Sequence, residues 1–244
     1  MPEMDLGDVV IHYEEAGDGP LALAFCHGLD TRMTDDFLRD LDLWKQHFDR
    51  ILTWHHRGMG HSSSTAKYSL PLYASDMARL IDGLGIERVV AVGPLFGGIV
   101  VQQFALDYPD KCAALVLDST SSELNMRISE DYYRRSQALR TSPNLGPGDP
   151  ESYVAASRIV AGLREHPLTH RLKNITCPVL IVSGVGQIVN RRDVGSAVMA
   201  MQLPNNRLEL FEECGPGVFR HQAQKFRELV VEFCREQGII AAAG

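Results

Sequence analysis

The chain has 244 residues, 45% of them hydrophobic and 23% charged, and its formal net charge is −7. This length suits a single α/β domain, which can bury a full core without disulfides or a structural metal ion. The acidic balance gives no basic stripe of the kind on which nucleic-acid binding depends, so a nucleic-acid partner is excluded.

The cysteine pattern and the hydropathy indicate the compartment. The five cysteines are scattered without C-x-x-C spacing, mostly in or beside apolar runs, which is typical of small buried residues in a reducing compartment. The N-terminus lacks the basic start and apolar stretch of a signal peptide, and no run approaches membrane-spanning length. We therefore expect a cytoplasmic protein with no membrane partner, and nothing in the sequence indicates a metal or an organic cofactor.

Short apolar strands alternate with helical patterns after about residue 20. An alternating stretch over residues 9–13, before the turn at 17–20, predicts an antiparallel opening hairpin. Helical spacing predicts helices over residues 35–48, 72–84 and 226–233. This rhythm predicts a mostly parallel sheet covered by helices on both faces.

Three loops that follow apolar strands carry recognisable motifs. Residues 93–98 read Gly-Pro-Leu-Phe-Gly-Gly, residues 26–29 read Cys-His-Gly-Leu, and residues 55–62 read His-His-Arg-Gly-Met-Gly-His-Ser. In that order they resemble the nucleophile elbow G-x-S-x-G, the H-G-x oxyanion loop and the D-x-R-G-x-G-x-S stretch of the α/β-hydrolase superfamily. The resemblance extends over residues 9–234 and implies the α/β-hydrolase fold, with a mostly parallel twisted sheet between two layers of helices.

The resemblance also locates the three positions of the family's catalytic triad. The elbow apex is Leu95, which has no heteroatom with which to attack a carbonyl. The acid position is Gln187, which carries no negative charge, and the histidine position is Pro216, which transfers no proton. The three departures together predict an atypical member that lacks the hydrolytic triad.

Residues 121–173 break the strand-helix rhythm, since they are polar, rich in Arg and Ser, and interrupted by Pro and Gly between 143 and 150. Family members insert a short helical lid at this place, so we expect a single domain over residues 1–244 with residues 121–173 as the lid. A peptide or small-molecule ligand would lie in the pocket beneath it. The lid side chains expected to face the ligand or the sheet are Tyr132, Tyr133, Leu139, Tyr153, Ile159 and Leu163.

Ligands of parallel open sheets bind beyond the carboxyl ends of the strands, and the candidate site residues lie in those loops. The resemblance implies that the backbone N–H groups of Leu29 and Phe96 form an oxyanion hole, which survives side-chain substitution. Two candidates have an alternative structural role, because Asp30 can cap the next helix and Asp118 can fix a neighbouring loop. The expected substrate-binding residues are Asp30, Arg32, His55, Pro94, Leu95, Asp118, Gln187, Val189, Pro216 and Val218.

These observations lead to three functional hypotheses. The first is a non-hydrolytic enzyme of specialised metabolism, a peptide epimerase or isomerase in which the substrate assists proton transfer; the chain is compatible with an enzyme similar to the peptide epimerase of the bottromycin antibiotic pathway. The second is a catalytically inactive protein that binds a small molecule or peptide. The third is a hydrolase with a displaced triad, using Ser119 or Ser121 with a histidine at a strand end.

Overall fold

The computed structural model describes residues 2–141, 146–185, 192–212 and 214–242. Its strands are β1 (Glu3–Asp5), β2 (Val10–Gly17), β3 (Leu21–Cys26), β4 (Arg50–Trp54), β5 (Arg88–Pro94), β6 (Cys112–Asp118), β7 (Val179–Val185) and β8 (Asn206–Glu212). They form one sheet in the order β1-β2-β4-β3-β5-β6-β7-β8. The pairs from β4 to β8 are parallel, and β1 and β2 are antiparallel to their neighbours. The predicted mostly parallel sheet is confirmed.

Helices cover both faces of this sheet. They are α1 (Arg32–Leu38), α2 (Leu41–Trp44), α3 (Leu70–Gly83), α4 (Phe96–Asp107), α5 (Met126–Ala138), α6 (Pro150–Gly162), α7 (Arg192–Gln202), α8 (Val218–His221) and α9 (Ala223–Glu236). One core lies against α3, α4, α6 and α7, and the other against α1, α2, α8 and α9. Along β3, Ala22 and Ala24 enter the first core while Leu23 and Phe25 enter the second. The central strands are therefore continuous apolar runs because both of their faces are buried.

Two sequence-based expectations need correction in detail. The antiparallel opening forms between β1 and β2, but the turn at 17–20 does not join neighbouring strands, because β4 lies between β2 and β3. The single helix predicted over 35–48 is two helices, α1 and α2, since Asp40 leaves the helical region at φ −98°, ψ 15°. The helices expected over 72–84 and 226–233 correspond to α3 and α9.

The helices α5 and α6, called here the insertion helices, lie between β6 and β7. Asn125 caps α5 by accepting the Ile128 N–H at 3.1 Å, and Asp149 caps α6 by accepting the Glu151 N–H at 2.9 Å. The carbonyl of Gly58 accepts the Asp149 N–H at 2.7 Å, which ties the start of α6 to the loop after β4. Among the helices of these described ranges, none has both the length and the apolar character that crossing a membrane requires.

Candidate active site

A cavity of about 300 Å³ lies between the carboxyl ends of the central strands and the insertion helices. Leu29, Leu95 and Phe96 line it from the sheet side. Tyr132 and Leu163 line it from the side of the insertion helices, as the sequence predicted for these two residues. The cavity therefore lies where a ligand of a parallel open sheet is expected.

The turn from β5 into α4 has the sharp geometry of a nucleophile elbow. Leu95 adopts φ 53°, ψ −115°, a backbone conformation that residues other than glycine rarely take. Glycines make this turn possible, since a methyl group on Gly97 would lie 1.8 Å from the carbonyl oxygen of Cys26, and one on Gly93 would lie 2.6 Å from the carbonyl oxygen of Gly97. The elbow thus exposes Leu95 to the cavity and begins α4 at Phe96.

The oxyanion loop is held rigidly against this elbow by a buried imidazole. His27 Nε2 accepts the backbone N–H of His56 at 3.1 Å, so its Nδ1 carries the proton and donates to the Gly28 carbonyl at 2.6 Å. Burial holds the pKa of His27 well below its ordinary value, and the ring is neutral. Within the described part of the chain, neither the Leu29 N–H nor the Phe96 N–H donates a hydrogen bond to another residue. Both of these residues line the cavity, and their role as oxyanion donors stays a prediction.

Asp30 lines the cavity, but its carboxylate is fully paired. One oxygen accepts from Arg32 Nε at 2.8 Å and the other from Arg220 Nη2 at 3.0 Å. Burial raises its pKa, but the hydrogen bonds from the two guanidinium groups outweigh this and hold the pKa of the Asp30 carboxyl below its ordinary value. Arg32 itself points to solvent with its side chain 66% exposed and is absent from the cavity wall. The pair fixes the loop after β3 and leaves Asp30 a poor proton acceptor.

His55 lies in a cluster of imidazoles away from the cavity. Its ring is 5.1 Å from that of His12 and 5.4 Å from that of His61, and its Nδ1 accepts the His61 N–H at 3.0 Å. Burial lowers the pKa of His55 to about 3 and that of His56 to about 4, so both rings are neutral. The sequence predicted His55 to bind substrate, whereas in the structure its ring accepts a backbone N–H of its own loop and does not line the described cavity.

Four further candidates, Asp118, Val218, Pro94 and Pro216, do not line the described cavity. Asp118 is fully buried and accepts the backbone N–H groups of Val218 and Phe219, each at 3.0 Å. It therefore fixes the loop after β8, the structural role that the sequence left open for it. Val218 is buried against the second core, Pro94 is buried at the end of β5, and Pro216 is exposed. None of the four is among the described residues that line the cavity.

Gln187 and Val189 lie outside the described residues. Several residues of the cavity wall were not predicted from the sequence, namely Met33, Ile99, Thr120 and Val198. Met33 closes over the oxyanion loop, where its Sδ accepts the Gly28 N–H at 3.3 Å. Helical spacing on α1 and α4 marks Met33 and Ile99 only as buried, which does not separate core residues from ligand contacts.

Comparison with known proteins places this geometry in a family. The alpha/beta hydrolase fold family matches residues 23–175. The chain belongs to this family. It is 28% identical, over 92% of its own length and 91% of the relative's, to the 2-hydroxy-6-oxononadienedioate/2-hydroxy-6-oxononatrienedioate hydrolase of Burkholderia vietnamiensis.

Solved structures share the fold at lower identity. A meta-cleavage product hydrolase from Pseudomonas fluorescens superposes with a TM-score of 0.74 at 22% identity, covering 93% of this chain and 95% of the other. An enol-lactonase from Burkholderia xenovorans superposes with a TM-score of 0.77 at 18% identity, covering 95% of this chain and 99% of the other.

These relatives correct the functional expectation. From the sequence we expected an enzyme without hydrolase activity, a peptide epimerase or isomerase, with an inactive binding protein and a hydrolase with a displaced triad as the alternatives. The relatives that match over nine-tenths of the chain are named hydrolases, so the expectation of a non-hydrolytic protein was wrong. That expectation rested on the substitution of all three triad positions, Leu95, Gln187 and Pro216, which was taken to exclude hydrolysis.

Proposed function

We propose that this protein is a hydrolase that cleaves a small carboxylic ester or lactone whose acyl part is apolar. The observation that carries the proposal is the intact oxyanion frame, in which the elbow at Leu95 and the loop at Gly28 present the Phe96 and Leu29 residues to one cavity. Two backbone N–H donors directed at a carbonyl oxygen stabilise the negative charge that develops when the carbonyl is attacked. The hydrolase names of the full-length relatives support the same reaction class.

The chain differs from the family pattern in the source of the attacking group. Leucine at the elbow apex supplies no nucleophile, and Pro216 supplies no base at the histidine position. We infer that the family's triad is absent and that a hydroxyl group or a water molecule elsewhere in the cavity attacks the carbonyl. The oxyanion frame is compatible with either, because it binds the carbonyl oxygen through the backbone.

The cavity wall favours a small and mainly apolar substrate. Its volume of about 300 Å³ is at the lower end of the range for small-molecule sites. Ile99, Val160 and Leu163 provide apolar surface, so an alkyl or aryl acyl group would gain from burial there. The insertion helices, which we propose act as the lid, would exclude bulk water from the carbonyl.

A pair of tryptophan variants tests this proposal. The purified protein is assayed with p-nitrophenyl esters from acetyl to octanoyl and with an aryl lactone. Val160→Trp fills the cavity, whereas Leu210→Trp adds the same side chain at an exposed position on β8, where Leu210 is 52% exposed. We expect hydrolysis by the wild type and by Leu210→Trp and its loss in Val160→Trp. Absence of hydrolysis across the panel, or equal activity of the two variants, would contradict the proposal.

A further inference from the structure

Two neighbouring strands are each followed by a non-glycine residue with a positive φ. Leu95 at the end of β5 has φ 53°, and Ser119 at the end of β6 has φ 52°. They are the two residues other than glycine with positive φ in the described part of the chain. Non-glycine residues held in this region cluster at active sites, where the surrounding structure maintains the strain.

The sheet register makes these two residues neighbours. Pro94 of β5 pairs with Asp118 of β6, and the Leu95 N–H donates to the Asp118 carbonyl at 2.9 Å. Ser119 therefore follows β6 at the same level of the sheet at which Leu95 follows β5. Ser119 and Leu95 both line the cavity.

The hydroxyl of Ser119 is oriented by two partners. Its Oγ donates to Asp118 Oδ1 at 2.8 Å and accepts the backbone N–H of Gly217 at 3.0 Å. Asp118 is fully buried, and the N–H groups of Val218 and Phe219 hold its two oxygens in place. A hydroxyl whose proton points at a carboxylate, with the carboxylate itself fixed, is the arrangement of a nucleophile and its base.

The surroundings of Asp118 suit proton transfer. Burial raises the pKa of its carboxyl above the ordinary value, and the hydrogen bonds from Phe219, Val218 and Ser119 oppose this rise. A carboxylate with a raised pKa is a better base than a solvated one. The histidine partner expected for a displaced serine is absent from the described cavity wall.

We propose that Ser119 is the nucleophile and Asp118 its general base, an assignment that rests on the hydrolase function proposed above. Ser119 Oγ bonds to the carbonyl carbon as its proton passes to Asp118 Oδ1, and the carbonyl π electrons move to the oxygen held by the Leu29 and Phe96 amides. Collapse of this intermediate expels the alcohol oxygen, which takes the proton from Asp118. Water then adds to the acyl-serine and gives a proton to Asp118; the second collapse releases the acid and returns the proton to Ser119.

Covalent labelling tests the assignment without any substitution. The wild-type protein is incubated with diisopropyl fluorophosphate, its intact mass is measured, and the modified peptide is sequenced by mass spectrometry. We expect one adduct, located on Ser119, and a pre-steady-state burst with p-nitrophenyl esters. An adduct on another residue, or hydrolysis without any adduct or burst, would refute the nucleophile while leaving the hydrolase function standing.

Matched serine variants supply the second test. Ser119→Ala is compared with Ser183→Ala, since Ser183 is also buried near a strand end, on β7, but its Oγ has no hydrogen-bond partner among the described residues and it is not part of the cavity wall. We expect Ser119→Ala and Asp118→Asn to lose about 10²–10⁴-fold in kcat/KM and Ser183→Ala to keep wild-type activity. Full activity of a folded Ser119→Ala variant would exclude the assignment. A wild type that neither hydrolyses an ester nor forms an adduct would contradict both proposals.

Discussion

Histidines buried at the carboxyl ends of β3 and β4 make the fold sensitive to mild acid. His27 and His56 are almost fully buried, and His55 is 9% exposed. Burial lowers the pKa of His55 to about 3 and that of His56 to about 4, and it lowers the pKa of His27 in the same direction. The neighbouring His12, whose ring is 5.1 Å from that of His55, also has a lowered pKa because of burial.

The magnitude follows from the difference between the folded and unfolded pKa values. In the unfolded chain each histidine takes up a proton below about pH 6.5, whereas in the folded chain it stays neutral until far lower pH. The stability that these groups contribute is therefore complete above pH 6.5 and falls as the pH drops towards the folded values of about 4 and 3. At pH 5 the free energy of unfolding is lower by about 2 kcal/mol for each such histidine, or by about 4 kcal/mol for His55 and His56 together. The total free energy of unfolding of a native domain is about 5–15 kcal/mol, so this decrease is a large fraction of it.

Urea unfolding followed by circular dichroism at pH 7.5, 6 and 5 measures this effect. We expect the free energy of unfolding to fall steeply between pH 6 and 5. His55→Asn keeps an acceptor for the His61 N–H but removes a titrating ring, so its slope with pH should be shallower. The exposed His166→Asn is the control and should keep the wild-type slope. If the free energy of unfolding stays constant from pH 7.5 to 5, the claim that these histidines are buried and neutral is refuted.

Three further predictions concern packing, charge and redox chemistry. Gly97→Ala should prevent stable folding because its methyl group would meet a backbone carbonyl oxygen at 1.8 Å, whereas Gly162→Ala, where the added methyl group has no neighbour within 4 Å, should shift the thermal midpoint little. Asp76→Asn should lower the free energy of unfolding in urea by about 3–5 kcal/mol, because the fully buried guanidinium of Arg57 loses the carboxylate that binds it through both oxygens. Cys112 and Cys177 have their Sγ atoms 3.6 Å apart, so diamide should join them in a disulfide that peptide mapping under non-reducing conditions detects; unlinked peptides after full oxidation would contradict the contact.

The fold could be predicted from local patterns to a large extent. The central strands were visible because strands buried on both faces are continuous apolar runs, as in Val89–Val92 of β5. The elbow and the oxyanion loop were predicted from their resemblance to the motifs of the α/β-hydrolase superfamily, and glycines permit the close backbone contacts of both. The break between α1 and α2 was missed because the helical spacing of apolar residues continues through Asp40, whereas the backbone leaves the helical conformation there.

The side chains of the site were less predictable than its backbone. Asp118 and His55 both end central strands, yet loop N–H groups from elsewhere in the chain occupy their polar atoms. Such partners lie 6 to 100 residues away in sequence, so the pattern around each residue does not reveal them. The functional expectation failed for a different reason: the substitutions at Leu95, Gln187 and Pro216 favoured a non-hydrolytic enzyme over the displaced-triad hydrolase that the sequence also allowed.

The most direct test of the central claim is the source of the oxygen in the product. A turnover assay of the purified protein with the best ester or lactone of the panel is run in water enriched in ¹⁸O, and the released acid is analysed by mass spectrometry. A hydrolase incorporates one solvent oxygen into the carboxylate at each turnover, and Val160→Trp should abolish this incorporation. Product without solvent oxygen, or a substrate that returns unchanged from the protein, would contradict the hydrolase function.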